Sequence, residues 1–248
     1  RRVREAQVFC EIHPCTKSLS EIKNLNPKGI ILSGGPASVL EKDAILCDQE
    51  LFELSIPILG ICYGMQLITH ILDGKVSQAD NREYGRAKIK VKEYSRLFKG
   101  VKNNSTVWMS HGDLINKLPN GFKITAFTDN SPIAAIENQI KKIYGLQFHP
   151  EVVHTSEGTK LLDNFLFDVC KCVKNWKIDS LAEYLIQNIK AQVGNGHVLC
   201  GLSGGVDSSV VAMLLHKAIG DRLTCIFIDN GLLRTDERQK VERAFRDN

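Results

Sequence analysis

Short unbroken apolar runs alternate along this chain with stretches whose apolar residues recur every three or four positions. Gly29-Ile30-Ile31-Leu32, Pro57-Ile58-Leu59, Ile143-Tyr144-Gly145-Leu146-Gln147-Phe148 and the runs at 197–202 and 223–228 are of the first kind. Runs of this length, bounded by turn residues, predict strands buried on both faces. The second kind predicts helices over 44–54 (Ile45, Leu46, Leu51, Phe52, Leu54), 64–72 (Met65, Ile68, Ile71, Leu72), about 156–172, 178–193 and 208–219. Residues 1–6 read as the tail of a helix and 7–12 as a strand, and Ser20 reads as the cap of a short helix ending at Leu25. Buried strands alternating with helices predict an α/β fold built on a mostly parallel sheet.

The period changes after Gly74. Lys88-Ile89-Lys90-Val91-Lys92 alternates strictly, and 106–109, 124–127 and 133–136 follow at short spacing with turn residues between them. These predict antiparallel strands added to the parallel sheet. Residues 173–177 read as a linker. From 178 to 248 a second α/β unit begins, with two strands that bury little by themselves.

Composition narrows the class. Of 248 residues, 43% are hydrophobic and 24% charged, as in ordinary globular proteins. The net charge is +4 and the basic residues are dispersed, which gives no footprint for nucleic acid. No apolar run is long enough to span a bilayer, and no secretory signal follows Arg1-Arg2-Val3-Arg4-Glu5. The eight cysteines contain no C-x-x-C pair. They are expected to be reduced thiols of a cytoplasmic protein, with Cys10, Cys200 and Cys225 in the core. A first residue other than methionine, and an end inside the helix-like run at 236–246, predict a piece of a longer protein.

Three stretches carry candidate chemistry. In Gly60-Ile61-Cys62-Tyr63-Gly64-Met65-Gln66, Cys62 stands at a strand-to-helix turn with a glycine two residues away on each side. The glycines permit close backbone approach, and the helix end favours an anion, so a thiolate is stabilised there. This is the cysteine form of the G-x-S-x-G nucleophile elbow. The pentapeptide alone leaves a buried structural cysteine equally open. His149-Pro150-Glu151 ends a predicted strand, so His149 can serve as base and Glu151 as its orienter. Gly34 or Gly35, in the loop Ser33-Gly34-Gly35-Pro36, can offer an amide to a reacting carbonyl beside that of Tyr63. His111 is a competing base in a segment, 108–113, that reads as a loop. The third stretch, Ser203-Gly204-Gly205-Val206-Asp207-Ser208-Ser209, follows a strand and opens a helix, an arrangement suited to phosphate, although it is not a Walker A loop.

The first two stretches resemble the signatures of class I glutamine amidotransferases. The third resembles the PP-loop of N-type ATP pyrophosphatases, and Asp229-Asn230-Gly231-Leu232-Leu233-Arg234 resembles the stretch that follows it in the GMP synthase (glutamine-hydrolysing) family. Both modules in this order resemble that family over essentially the whole chain. The resemblance implies a flavodoxin-like amidotransferase domain at 1–172, lacking its first strand, then a truncated ATP pyrophosphatase domain at 178–248. It implies a Cys62, His149, Glu151 triad, an oxyanion hole at Gly35 and Tyr63, and a glutamine pocket of Gln66, Ser110, His111 and Asp113. It further implies ATP with Mg2+ on residues 203–209, with no prosthetic group and no metal beyond the Mg2+ that accompanies ATP. XMP is the implied acceptor, and dimerisation is implied through a C-terminal domain outside this sequence. The implied reaction is glutamine-dependent conversion of XMP to GMP. Alternatives are a glutamine-binding or glutaminase module without synthetase activity, another amidotransferase-linked PP-loop ligase, or a cysteine hydrolase of the elbow type.

Overall fold

A computed structural model describes residues 1–92, 95–229, 231 and 236–246. It divides into two units, 1–175 and 176–248.

The first unit begins with α1 (Arg2–Glu5) and α2 (Leu19–Leu25). The cap of α2 is Ser18 rather than Ser20. Ser18 accepts from the Glu21 amide while the Glu21 carboxylate accepts from the Ser18 amide, a reciprocal capping box. The expected strand at 7–12 is not formed. Val8 is buried, Phe9 and Ile12 are exposed, and no described neighbour offers the segment a ladder. The strand β1 (Ile30–Leu32) follows. The helix expected over 44–54 shrinks to a single 3-10 segment, Gln49–Glu53. Its start is set by Asp48, whose side chain accepts from the Glu50 amide. Upstream, the Ile45 carbonyl is taken by the Tyr63 hydroxyl at 2.8 Å, and Ile45 and Leu46 stay exposed.

Next come β2 (Ile58–Ile61) and α3 (Tyr63–Ile71), both almost wholly buried. The chain continues through β3 (Lys75–Lys88), β4 (Lys90–Val91), β5 (Thr106–Lys117), β6 (Lys123–Phe127), β7 (Ala135–Asn138) and β8 (Ile143–Leu146). It closes on α4 (Gly158–Asp163) and a π-helical turn, Asn164–Val169. One six-stranded sheet has the order β1-β2-β8-β7-β6-β4, with β1, β2 and β8 parallel and β7, β6 and β4 antiparallel. The strands β3 and β5 form a separate antiparallel ribbon. Residues 110–113, expected as a loop, lie inside β5. Along it Val107, Met109, His111, Asp113 and Ile115 are buried in strict alternation. The core is centred on β2 and β8, where Ile58, Leu59, Ile143 and Leu146 are at most 1% exposed. Each such side chain stabilises by about 1.5–3 kcal/mol on leaving water.

The second unit contains α5 (Ile178–Val193), β9 (Val198–Leu202), α6 (Val206–Ile219), β10 (Leu223–Phe227) and α7 (Glu237–Arg246). β9 and β10 pair in parallel. Two strands cannot close a core, so Leu199, Ile226 and Ile228 are exposed, and so is Cys225, which was expected to be buried. Cys10 is only half-buried, whereas Cys200 is buried.

Candidate functional site

Parallel strands end along one sheet edge, and here three of them deliver the candidate residues together. β1 leads to Gly34, β2 to Cys62 and β8 to His149, in the register Leu32↔Gly60 and Ile61↔Leu146. Ligands of open α/β sheets bind at this carboxyl edge.

Cys62 is the N-cap of α3, with φ 51° and ψ −106°, a backbone conformation that side chains rarely adopt. The surroundings hold it there. The Cys62 amide donates to the Leu146 carbonyl at 2.7 Å, and the Met65 and Gln66 amides donate to the Cys62 carbonyl. Both flanking glycines are required by packing. A Cβ on Gly60 would lie 2.6 Å from the Gly64 backbone, and one on Gly64 would lie 2.1 Å from the Leu32 carbonyl oxygen.

Cys62 is buried at the edge of the apolar core, and polar groups reach its sulfur. Cys62 Sγ lies 3.4 Å from the Ser110 carbonyl oxygen, and the Gln147 side-chain amide approaches it at 3.8 Å. The His149 ring and Cys62 flank the same point, within 3.0 and 3.5 Å of where a Gly34 Cβ would stand, and on its other side the ring's Nδ1 lies 2.6 Å from Glu151 Oε1. The Cys62 side chain first, and then the bond to Glu151, push the imidazole up from 6.5 to about 10 against the opposing effect of burial. Burial would push the Glu151 carboxyl up. Hydrogen bonds from His149 and its own amide, with the charges of His149 and Arg2, hold it below its ordinary value instead. Arg2 Nε also donates to the Glu151 carbonyl at 2.7 Å. The stability gained through His149 is therefore complete below about pH 6.5 and disappears as pH rises through about 10. The part gained through Glu151 is present above 4.5 and is lost in acid. An NMR titration of the His149 ring should find its midpoint well above 6.5, and Cys62→Ala should lower it by removing the largest contribution. A midpoint near 6.5 in the unsubstituted chain would contradict the contact.

The other predicted residues divide. A Cβ on Gly34 would lie 3.0 Å from the His149 ring and 3.5 Å from Cys62 Cβ, whereas one on Gly35 would meet nothing within 4 Å. Gln66 is buried, with its amide 3.4 Å from the Asp113 carbonyl and 3.4 Å from Gln147 Oε1. Asp113 accepts from the Ser38 hydroxyl at 2.5 Å. The Ser110 side chain is exposed, and only its carbonyl faces the sulfur. The His111 ring is buried away from Cys62. Its Nδ1 lies 2.9 Å from the Asp113 carbonyl oxygen and its Nε2 lies 3.4 Å from Glu83. Gln147, Ser38 and Arg2 were not singled out from the sequence. Only Gln147 carried a readable signal, since it sits two positions before His149 on an extended segment and so shares its side.

In the second unit, residues 203–205 form a tight turn between β9 and α6, with Gly204 at φ +78°. The serines close it. Ser208 Oγ lies 3.0 Å from Ser203 Oγ and accepts from the Ser203 amide, while Ser208 and Ser209 both donate to the Gly205 carbonyl. Gly204, Gly205, Val206 and Ser209 border a groove of about 440 Å3 that continues along α5 and α6 past Ile186 and Met213. The Asp229 carboxylate accepts from the Gly231 amide at 3.0 Å. Asn230, Leu232, Leu233 and Arg234 lie outside the described residues. Among the described residues no group of three or more His, Cys, Asp or Glu side chains is placed to hold a metal ion. None of their helices is long and apolar enough to cross a membrane.

Comparison with known proteins agrees with this division. Residues 1–169 match the family described as glutamine amidotransferase class-I, and residues 177–244 match the one described as NAD synthase. Curated relatives named GMP synthase [glutamine-hydrolyzing] are 56% identical over 246 residues in Acetivibrio thermocellus and 54% over 245 residues in Bacillus subtilis. The alignments cover 99% of this chain but 48% of each relative, so the chain spans about half their length. Among solved structures, a Thermoplasma acidophilum protein provisionally described as one component of a GMP synthase superposes with a TM-score of 0.63 at 32% identity. That alignment covers 68% of this chain and 85% of the other.

Proposed function

Because the chain belongs to the class I glutamine amidotransferases through residues 1–169, we propose that its first domain, 1–172, hydrolyses glutamine to glutamate and ammonia. The observation that supports this most is a strained cysteine at a helix start standing beside a histidine that is hydrogen-bonded to Glu151. In this reading the Cys62 thiolate attacks the side-chain amide carbon of glutamine. The developing oxyanion is met by the amides of Tyr63 and Gly35. His149, held protonated, gives its proton to the departing nitrogen, which leaves as ammonia. Water then attacks the thioester, His149 takes its proton, and glutamate leaves with the sulfur restored. Gln66, Ser110 and Asp113 line the glutamine pocket, and His111 steadies its wall by fixing the Asp113 carbonyl.

Residues 173–177 link this domain to the beginning of an ATP pyrophosphatase domain at 178–248. There the amides at 203–209 would receive the pyrophosphate portion of MgATP, with Ser203, Gly204, Gly205, Val206, Asp207, Ser208 and Ser209 forming the loop. In the longer protein ATP would adenylate XMP, and ammonia would displace AMP to give GMP. That protein would be a cytoplasmic homodimer joined through parts beyond these 248 residues. The direct test is to supply the chain with glutamine and measure glutamate and ammonia. Both should appear in equal amounts without ATP. No release above the uncatalysed rate would remove the glutaminase reading.

A further inference from the structure

Where the His149 ring stands depends on its backbone, which is tied to β5 by one direct bond and by one hydroxyl. The His149 amide donates to the Trp108 carbonyl at 3.0 Å. The return bond of this pair is not made directly. The Trp108 amide donates to Thr155 Oγ1 at 3.0 Å, and the Thr155 hydroxyl donates to the His149 carbonyl at 2.5 Å. Thr155 is thus inserted as one rung of a ladder, with its donor and an acceptor site both used, and it is only 5% exposed.

Two residues further along β5, the Ser110 carbonyl faces the Cys62 sulfur at 3.4 Å. The same strand therefore touches the sulfur directly and the imidazole backbone through Thr155. The turn that presents Thr155 is itself tightly built. The Thr155 amide donates to the Val152 carbonyl, the Ser156 amide to the Thr106 carbonyl, and the Gly158 amide to the Thr155 carbonyl. His154 packs on Trp108 with ring centroids 4.6 Å apart. A Cβ on Gly158 would lie 2.0 Å from the Pro150 carbonyl oxygen, so this turn is pressed against the residue following His149.

We propose that Thr155 is a positioning residue for amide cleavage, its hydroxyl setting the separation between the Cys62 sulfur and the His149 ring. The proposal rests on the glutaminase reading above. Without the hydroxyl, the Trp108 amide and the His149 carbonyl face each other across a gap. They either stay unpaired in a buried place or close the gap and draw His149 towards β5. Closing the gap moves the ring from its present place beside the sulfur, and leaving the groups unpaired removes the bond that holds it there.

The experiment compares Thr155→Val, which keeps the shape and removes the hydroxyl, with Thr155→Ser, which keeps the hydroxyl. Two quantities are read in the 248-residue chain: glutaminase kinetics, and the rate at which iodoacetamide alkylates Cys62, followed by mass spectrometry. Misplacement by 1 Å can cost roughly 100-fold in rate. A smaller shift should lower kcat about tenfold in Thr155→Val, with KM changed less than about twofold. Alkylation should slow, because a displaced imidazolium no longer supports the thiolate. Thr155→Ser should recover most of both. The proposal is overturned if Thr155→Val keeps its kcat, or if serine fares no better than valine. It is also overturned if alkylation accelerates together with a lower melting temperature, which is the mark of loosened packing alone. If valine prevents folding, Thr155→Ala makes the same comparison against serine. A wild-type chain that released no ammonia would remove the glutaminase reading, while the alkylation rates would still decide whether Thr155 places His149 against Cys62.

Discussion

Cys62→Ala is expected to end ammonia release from glutamine, lowering kcat by on the order of 10^4- to 10^6-fold, the scale seen when a covalent nucleophile is removed. A cysteine as such predicts little, since the chain has eight. What surrounds this one decides. Cys47 and Cys170 are pushed up by burial, to about 11 and about 12, and no imidazole acts on either. Cys62 alone stands at a helix start, at a strained φ of 51°, beside a histidine that is itself hydrogen-bonded to a carboxylate. Serine at this position should be nearly as inactive as alanine. An alcohol does not ionise near neutral pH, so serine offers no anionic nucleophile although the shape is kept. Alanine and serine variants that keep the wild-type melting temperature but release no ammonia would support the covalent route. An alanine variant retaining more than about 1% of the wild-type kcat would exclude it.

The central elbow was readable from the chain alone because its demands are local. A tight strand-to-helix turn needs glycines at fixed offsets, and Gly60 and Gly64 stand where Leu32 and the start of α3 leave no room for a Cβ. β8 and the end at His149 were readable for the same reason, as one unbroken apolar run delivering a polar triplet. What was not readable depended on partners distant in the chain. Residues 110–113 contain glycine and aspartate and look like a turn. They remain strand because Glu83 and Ser38 receive the His111 and Asp113 side chains on the buried face. β3 has the polar sequence Lys-Val-Ser-Gln-Ala-Asp-Asn-Arg-Glu-Tyr-Gly-Arg-Ala-Lys, which carries no strand pattern and is held by its pairing with β5. The apolar spacing over 44–54 does suit a helix. Tertiary contacts override it, because the Ile45 carbonyl serves the Tyr63 hydroxyl of the elbow helix instead of a helical ladder. Thr155 is of the same kind: its role is set by which atoms face it, and spacing does not encode that.

Gly64→Ala should be the most damaging single methyl group that can be added to this site. The new Cβ would lie 2.1 Å from the Leu32 carbonyl oxygen and 2.8 Å from its carbon, so it meets backbone that no rotamer change can move aside. Relief requires α3 to withdraw from β1 by roughly 1 Å, the displacement that typically costs about 100-fold in rate. Because Cys62 caps α3, the sulfur must travel with the helix, away from His149 and from the Ser110 carbonyl. Overpacking of this kind costs about 3 kcal/mol, which for a unit of this size lowers the melting temperature by roughly 6–12 °C. Gly35→Ala is the matched control for stability. Its Cβ would meet nothing within 4 Å, so its melting temperature should stay at the wild-type value. Circular dichroism melts of the two variants, with glutaminase assays run below both transitions, separate the two effects. If Gly64→Ala melted with Gly35→Ala and turned over glutamine normally, the close contact between the elbow and β1 would not be what holds the thiol in place. If it melted early yet kept its kcat, the contact would support the fold without setting the reacting geometry. Loss of both is the expected result, since one backbone contact carries the weight of α3 and fixes the atom that caps it.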